Sequence, residues 1–139
     1  MTESIDALMV QFHGNGPAPP DALRSLEKEL GIALPVDYRQ FMENMDGGEG
    51  FIGKQYLILW RANELLPFNR DYQVEQYAPG ILLFASSGGG EAFAFDKRDA
   101  AWPIVQVPFI GLDLRYANRV ANSFNELLMR MHTSHGSLL

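Results

Sequence analysis

Through the first third of the chain, apolar side chains recur at helical spacing. Ile5, Leu8, Met9 and Phe12 fall at i, i+3, i+4 and i+7, which marks one face of a helix. Ser4 stands before them as an N-cap. Gly14 and Gly16 close that run, and Pro17-Ala18-Pro19-Pro20 reads as a short extended connector. A second helix opens at Pro20 or Asp21, carries Leu23, Leu26 and Leu30 on its buried stripe, and ends at Gly31. A third follows Pro35, with Tyr38, Phe41, Met42 and Met45 on one side, and is stopped by Asp46-Gly47-Gly48-Glu49-Gly50.

The middle of the chain changes period. Tyr56-Leu57-Ile58-Leu59-Trp60 is a nearly continuous apolar run, as in a strand buried on both faces. Arg61 to Leu66 reads as a helical turn ending at Pro67, and Asn69 to Tyr77 as either a loop or a short helix. Ile81–Ala85 and Ala92–Asp96 read as a β-hairpin across Gly88-Gly89-Gly90, with Phe93 and Phe95 on one side and Ala92 and Ala94 on the other. Ile104 to Val107 is a further strand, and the flanking Pro103 and Pro108 make it short or place it at an edge. A last helix spans Val120 to Met131, and the tail from Thr133 is expected to fray. Helices first, antiparallel strands next and a helix last describe an α+β domain: a central antiparallel sheet with helices packed on one side.

Composition narrows the class. With 139 residues, 47% of them hydrophobic and 20% charged, the chain is expected to form a single domain over 1–139, its core within about 20–131. No apolar run reaches membrane-spanning length, and Met1 to Ser4 lacks the basic start of a signal peptide, so a cytoplasmic protein is expected. The absence of cysteine excludes disulfides and cysteine-ligated zinc. A net charge of −6 argues against nucleic acid as partner. All of that imbalance lies in residues 1–50, which hold nine acids against three bases, whereas 51–139 hold eight of each.

Candidate chemistry is sparse. Gly88-Gly89-Gly90 precedes Glu91 and a strand, not the Lys-Ser/Thr and helix of a phosphate loop, so it reads as a turn. Ser86 and Ser87 lack a nucleophile-elbow context. His132 and His135 are one helical turn apart but have no third ligand nearby in sequence. Glu91 and Asp96 bracket one hairpin strand, the arrangement left to an enzymatic or ligand-binding alternative. No catalytic residue, cofactor site or metal site is assigned, which favours a binding protein.

Three blocks carry a family resemblance. Leu26-Glu27-Lys28-Glu29-Leu30-Gly31 followed by Leu34-Pro35-Val36-Asp37-Tyr38-Arg39-Gln40-Phe41 is the first. Gly88-Gly89-Gly90-Glu91-Ala92-Phe93-Ala94-Phe95-Asp96 is the second, and Ser123-Phe124-Asn125-Glu126-Leu127-Leu128 the third. Together they resemble the SUKH superfamily, whose best-known branch is the Smi/Knr-like domain. The resemblance implies an α+β fold without enzymatic activity, and an immunity protein that neutralises a cognate toxin of a polymorphic or contact-dependent system. The alternative it implies is a regulatory or scaffolding interaction module. The motif blocks themselves read as fold determinants.

The expected partner is therefore a protein, a toxin domain with a basic surface such as a nuclease; neither membrane nor nucleic acid is expected, and the chain itself is expected to be a monomer or weak dimer. An acidic inhibitor is steered towards such a cleft. The expected contact residues are Glu43, Asp46 and Glu49 around the Gly47-Gly48 turn, and Asp71, Tyr72 and Glu75 further on. Trp60 joins them if exposed, since Trp and Tyr are favoured interface anchors.

Overall fold

The computed structural model describes residues 5–134. Ser4 as a cap, His135 and the end of the tail lie outside the described residues. The helices are α1 (Ile5–Leu8), α2 (Pro20–Leu30), α3 (Val36–Asn44), α4 (Leu65–Asp71), α5 (Val74–Tyr77) and α6 (Phe124–Thr133). The strands are β1 (Phe12–Gly14), β2 (Gly48–Ile52), β3 (Gln55–Leu59), β4 (Ile81–Ser86), β5 (Glu91–Asp96), β6 (Ile104–Pro108) and β7 (Asn118–Ala121). All seven strands form one antiparallel sheet in chain order. The expected α+β arrangement around a central antiparallel sheet is what the chain adopts.

Several boundaries differ from the periodic reading. The first helix stops at Leu8, and Phe12 belongs to β1, where it lies opposite Gly50. The third helix does end before the glycines, at Asn44, but Gly48 and Gly50 go on into β2; at Gly47 (φ 77°), just ahead of the strand, a Cβ would lie 2.4 Å from the Leu59 carbonyl oxygen, so only glycine fits against β3. Pro67 does not end a helix but sits in the first turn of α4, where the missing N–H costs nothing. The ambiguous stretch after it is helical. β6 pairs on both sides and is no edge strand. Residues 118–121 form β7, so the last helix starts at Phe124, behind Ser123, whose hydroxyl accepts the Glu126 N–H at 3.1 Å.

The core is aromatic at its centre. Tyr38 of α3 meets Phe84, Phe95 and Phe124 edge-on, at ring distances of 5.5, 5.0 and 5.3 Å, and Phe84 stacks on Phe95 at 4.3 Å. Such pairs add roughly 0.5–1.5 kcal/mol each beyond area burial.

The polar residues of the first motif block serve this assembly. Glu27 accepts the Leu34 N–H at 2.8 Å and the Arg39 Nε–H at 3.1 Å, tying α2 to the start of α3. Asp37 accepts the N–H of Tyr38 and, 88 residues away, that of Asn125 at 2.9 Å. The Asn125 N–H is one of the orphan donors of the first turn of α6, so a single carboxylate couples α3 to α6.

β3 pairs with β4 at Ile58–Ser86 and Leu59–Ala85, and the Trp60 N–H adds one more bond to the Phe84 carbonyl at 3.1 Å. Beyond that point the Asn69 carboxamide of α4 continues the ladder, donating to the Leu83 carbonyl and accepting the Leu83 N–H, both at 2.9 Å. It also donates to the Leu65 carbonyl at 2.7 Å. A side chain thus replaces a strand.

Candidate functional site

Alternation along β2 and β3 sorts their side chains onto two faces. Ile52, Leu57 and Leu59 point into the core. Glu49 and Phe51 on β2, with Tyr56 and Ile58 on β3, point the other way, paired as Glu49–Ile58 and Phe51–Tyr56. Among the described residues no helix lies over these four side chains, although Phe51 borders a small cleft with Ala7, Leu8 and His132: Glu49 and Phe51 are exposed, Phe51 by 48%, and Tyr56 and Ile58 are half-buried. The Phe51 and Tyr56 rings meet edge-on at 5.0 Å. The Tyr56 hydroxyl donates to Glu49 at 2.5 Å, and that bond to the carboxylate, more than burial, raises the phenol above its ordinary pKa.

Trp60 continues the same side of β3 but is only 7% exposed. Its ring is edge-on to Phe68 of α4 at 4.8 Å and lies parallel to Tyr72 at 6.5 Å, with Phe109 at 6.3 Å. Tyr72 and Phe109 lie 4.8 Å apart above it, and Tyr72 is 41% exposed. The Gly88–Gly90 turn borders the row: its Gly88 faces Tyr56 and Ile58, and the Phe109 N–H donates to the Gly90 carbonyl. Next to Phe109, Ile110 is 94% exposed. The outcome is one aromatic and aliphatic surface running from Phe51 through Tyr56 and Ile58 to Tyr72 and Phe109. Monomeric proteins rarely leave large contiguous apolar surfaces open without a use for them.

The expected contact residues divide. Glu49 and Tyr72 lie on this surface, and Asp71 is exposed one turn beyond Phe68 on α4. Trp60 does not present a contact surface, because Tyr72, Phe109 and Phe68 close over it; its part is to hold Tyr72 in place. Asp46 is also interior at 5% exposure. Its carboxylate accepts the Ala62 N–H at 2.8 Å, and its backbone bonds Gly16 and the Asn15 carboxamide, so it fastens the connector before α2 to the turn after β3. Glu43 lies apart on α3, bonded to Arg39 at 2.7 Å.

Glu75 lines a different cleft of about 470 Å³ between α2, α4, α5 and β4. That cleft also presents Glu29, Arg70, Lys97 and Gln73, the last with φ of 55°. Glu91 and Asp96 do not meet in a pocket. Asp96 is buried against Arg98 in a two-point ion pair at 2.9 and 3.0 Å, which holds its carboxyl below the usual range despite the opposing effect of desolvation. Among the described residues no group of three His, Asp or Glu could hold a metal ion, and no helix is long and apolar enough to cross a membrane.

Comparison with known proteins agrees with the fold. The model of the SMI1/KNR4 family (SUKH-1) matches residues 17–130. The chain belongs to that family. A Bacillus subtilis (strain 168) relative, named only as uncharacterized protein YnaB, is 31% identical over 72 residues. The match takes in 52% of this chain and 46% of that protein, so the chain spans about half the length of this curated relative. Domains of the SMI1/KNR4 family typically bind protein partners, and they generally serve as immunity or regulatory modules.

Proposed function

We propose that this SMI1/KNR4 domain is an immunity protein that binds and neutralises a toxin domain of a polymorphic or contact-dependent toxin system. The open row Phe51–Tyr56–Ile58–Tyr72–Phe109 carries this reading. It offers rigid rings on a sheet, the kind of side chain that supplies most binding energy in protein interfaces. The family supports a protein partner in general. The net charge of −6 supports a basic partner, drawn in by long-range attraction. On this reading the protein works by occlusion, acts in the cytoplasm and needs no cofactor.

The test is co-expression with the C-terminal domain of a multidomain toxin encoded beside this chain's gene. Restored growth and a one-to-one complex on co-purification are expected. A toxin domain that kills equally with and without the protein would end the proposal.

A further inference from the structure

Most acids of the charge-rich first third are already engaged within the fold. Asp21 pairs with Arg24, Glu27 and Glu43 share Arg39, Asp37 bonds two backbone amides, and Asp46 is buried. Glu49 is different. It is exposed on the open sheet face, has no ion-pair partner among the described residues, and its only side-chain bond is the one from the Tyr56 hydroxyl. Asp71, also exposed and without an ion pair among the described residues, stands at the other end of the same row, beside Tyr72. Of the cations nearest in the chain, Lys54 lies in the turn between β2 and β3, and Arg70, next to Asp71, lines the cleft with Glu29 and Glu75 and forms no ion pair with Asp71; the residue across from Glu49 on β1 is His13. Two unneutralised carboxylates therefore flank a set of rings whose faces also attract cations.

Resting on the toxin-binding role proposed above, we infer that this sheet face docks a partner surface on which arginine or lysine side chains stand among apolar ones. The cations meet Glu49 and Asp71, and the apolar groups meet Phe51, Ile58 and the Tyr72–Phe109 pair. The acidic connector and helices of residues 15–44 are not the contact. Electrostatic attraction then sets mainly how fast the complex forms, while the rings set how long it lasts.

The purified toxin domain encoded beside this gene is the probe, titrated at low and at high salt against folded variants. Glu49→Gln keeps an acceptor for the Tyr56 hydroxyl and removes only the charge. Combined with Asp71→Asn it is expected to weaken binding about tenfold at low salt, through slower association, with the gap closing at high salt. Phe51→Ser and Tyr72→Ser are each expected to weaken binding by about tenfold or more through faster dissociation. Glu29→Gln, on the cleft side of α2, is expected to bind as wild type.

Face variants that bind like wild type would overturn the docking surface while leaving the immunity role standing. A toxin domain that does not bind the wild-type protein at all would remove both. Self-association of the free protein that Phe51→Ser abolishes would assign the face to a second copy of this chain, which also overturns the inference.

Discussion

Tyr38 is wholly buried, and its hydroxyl has no hydrogen-bond partner among the described residues. Burial first, and the Asp46 charge second, push its phenol far above the ordinary range, so it stays protonated. An unpaired buried hydroxyl carries a desolvation cost of about 1–3 kcal/mol. Tyr38→Phe is therefore expected to leave stability unchanged or raise it by about 1 kcal/mol in urea denaturation, although the residue sits in a family motif. Asn69 predicts the reverse. Asn69→Leu keeps the volume but strips both polar groups of Leu83 of their partners, and a loss of about 3 kcal/mol is expected in the same measurement.

Asp96 adds a pH dependence. Its folded pKa is depressed by Arg98, so its contribution is complete above the unfolded value of about 3.9 and is lost as pH falls through the lower folded one. Melting curves of Asp96→Asn should lie below wild type at neutral pH and converge with it below about pH 4.

At the scale of elements, the β1–β2 pairing depends on absent side chains. At Gly50 (φ 154°) a Cβ would lie 2.4 Å from the Gln11 carbonyl oxygen and 2.7 Å from the Phe12 Cα. Gly50→Ala is expected to part β1 from β2, seen as faster amide exchange in Phe12–Gly14 while β5 and β6 stay protected.

This pairing also explains what the sequence concealed. The long apolar stripes of α2 and α3 and the large–small alternation of β5 encode their own state, and they were legible with near-correct limits. Gly48-Glu49-Gly50-Phe51-Ile52 has no such alternation, because two of its inward or edge positions are glycine, and its strand state comes from β1 and β3. Residues 118–121 are too short to announce β7. The candidate surface is legible in part for the same reason. Tyr72 and Glu49 stand out as residues, but Phe51, Tyr56 and Phe109 join them only through strand register. The signal that could have joined two of them was the alternation Glu49/Phe51 against Tyr56/Ile58, hidden once the glycines were read as a helix stop. Trp60 illustrates the converse, since a large ring in a short apolar run gives no sign that Tyr72 and Phe109 will close over it.

Across the whole molecule, charge and apolar surface are separated. Five of the acids of the first third are paired or buried in or next to the helical layer, whereas Glu49 and Asp71 at the open sheet face have no ion-pair partner among the described residues. Net charge still acts at a distance, because attraction depends on the total field and not on which acid is paired. Raising salt should therefore slow complex formation even for a Glu49→Gln variant, in stopped-flow mixing with the toxin domain, over the range in which the screening length falls to about 8 Å and below.

The order of the sheet has one more consequence. Its two outer strands are β1, of three residues, and β7, of four. Each therefore offers another chain only a few unpaired amides, and Arg119 further blunts the second. Among the described residues, therefore, neither margin offers a second copy a long strand to pair with, and the rings can stay uncovered without an open sheet edge beside them.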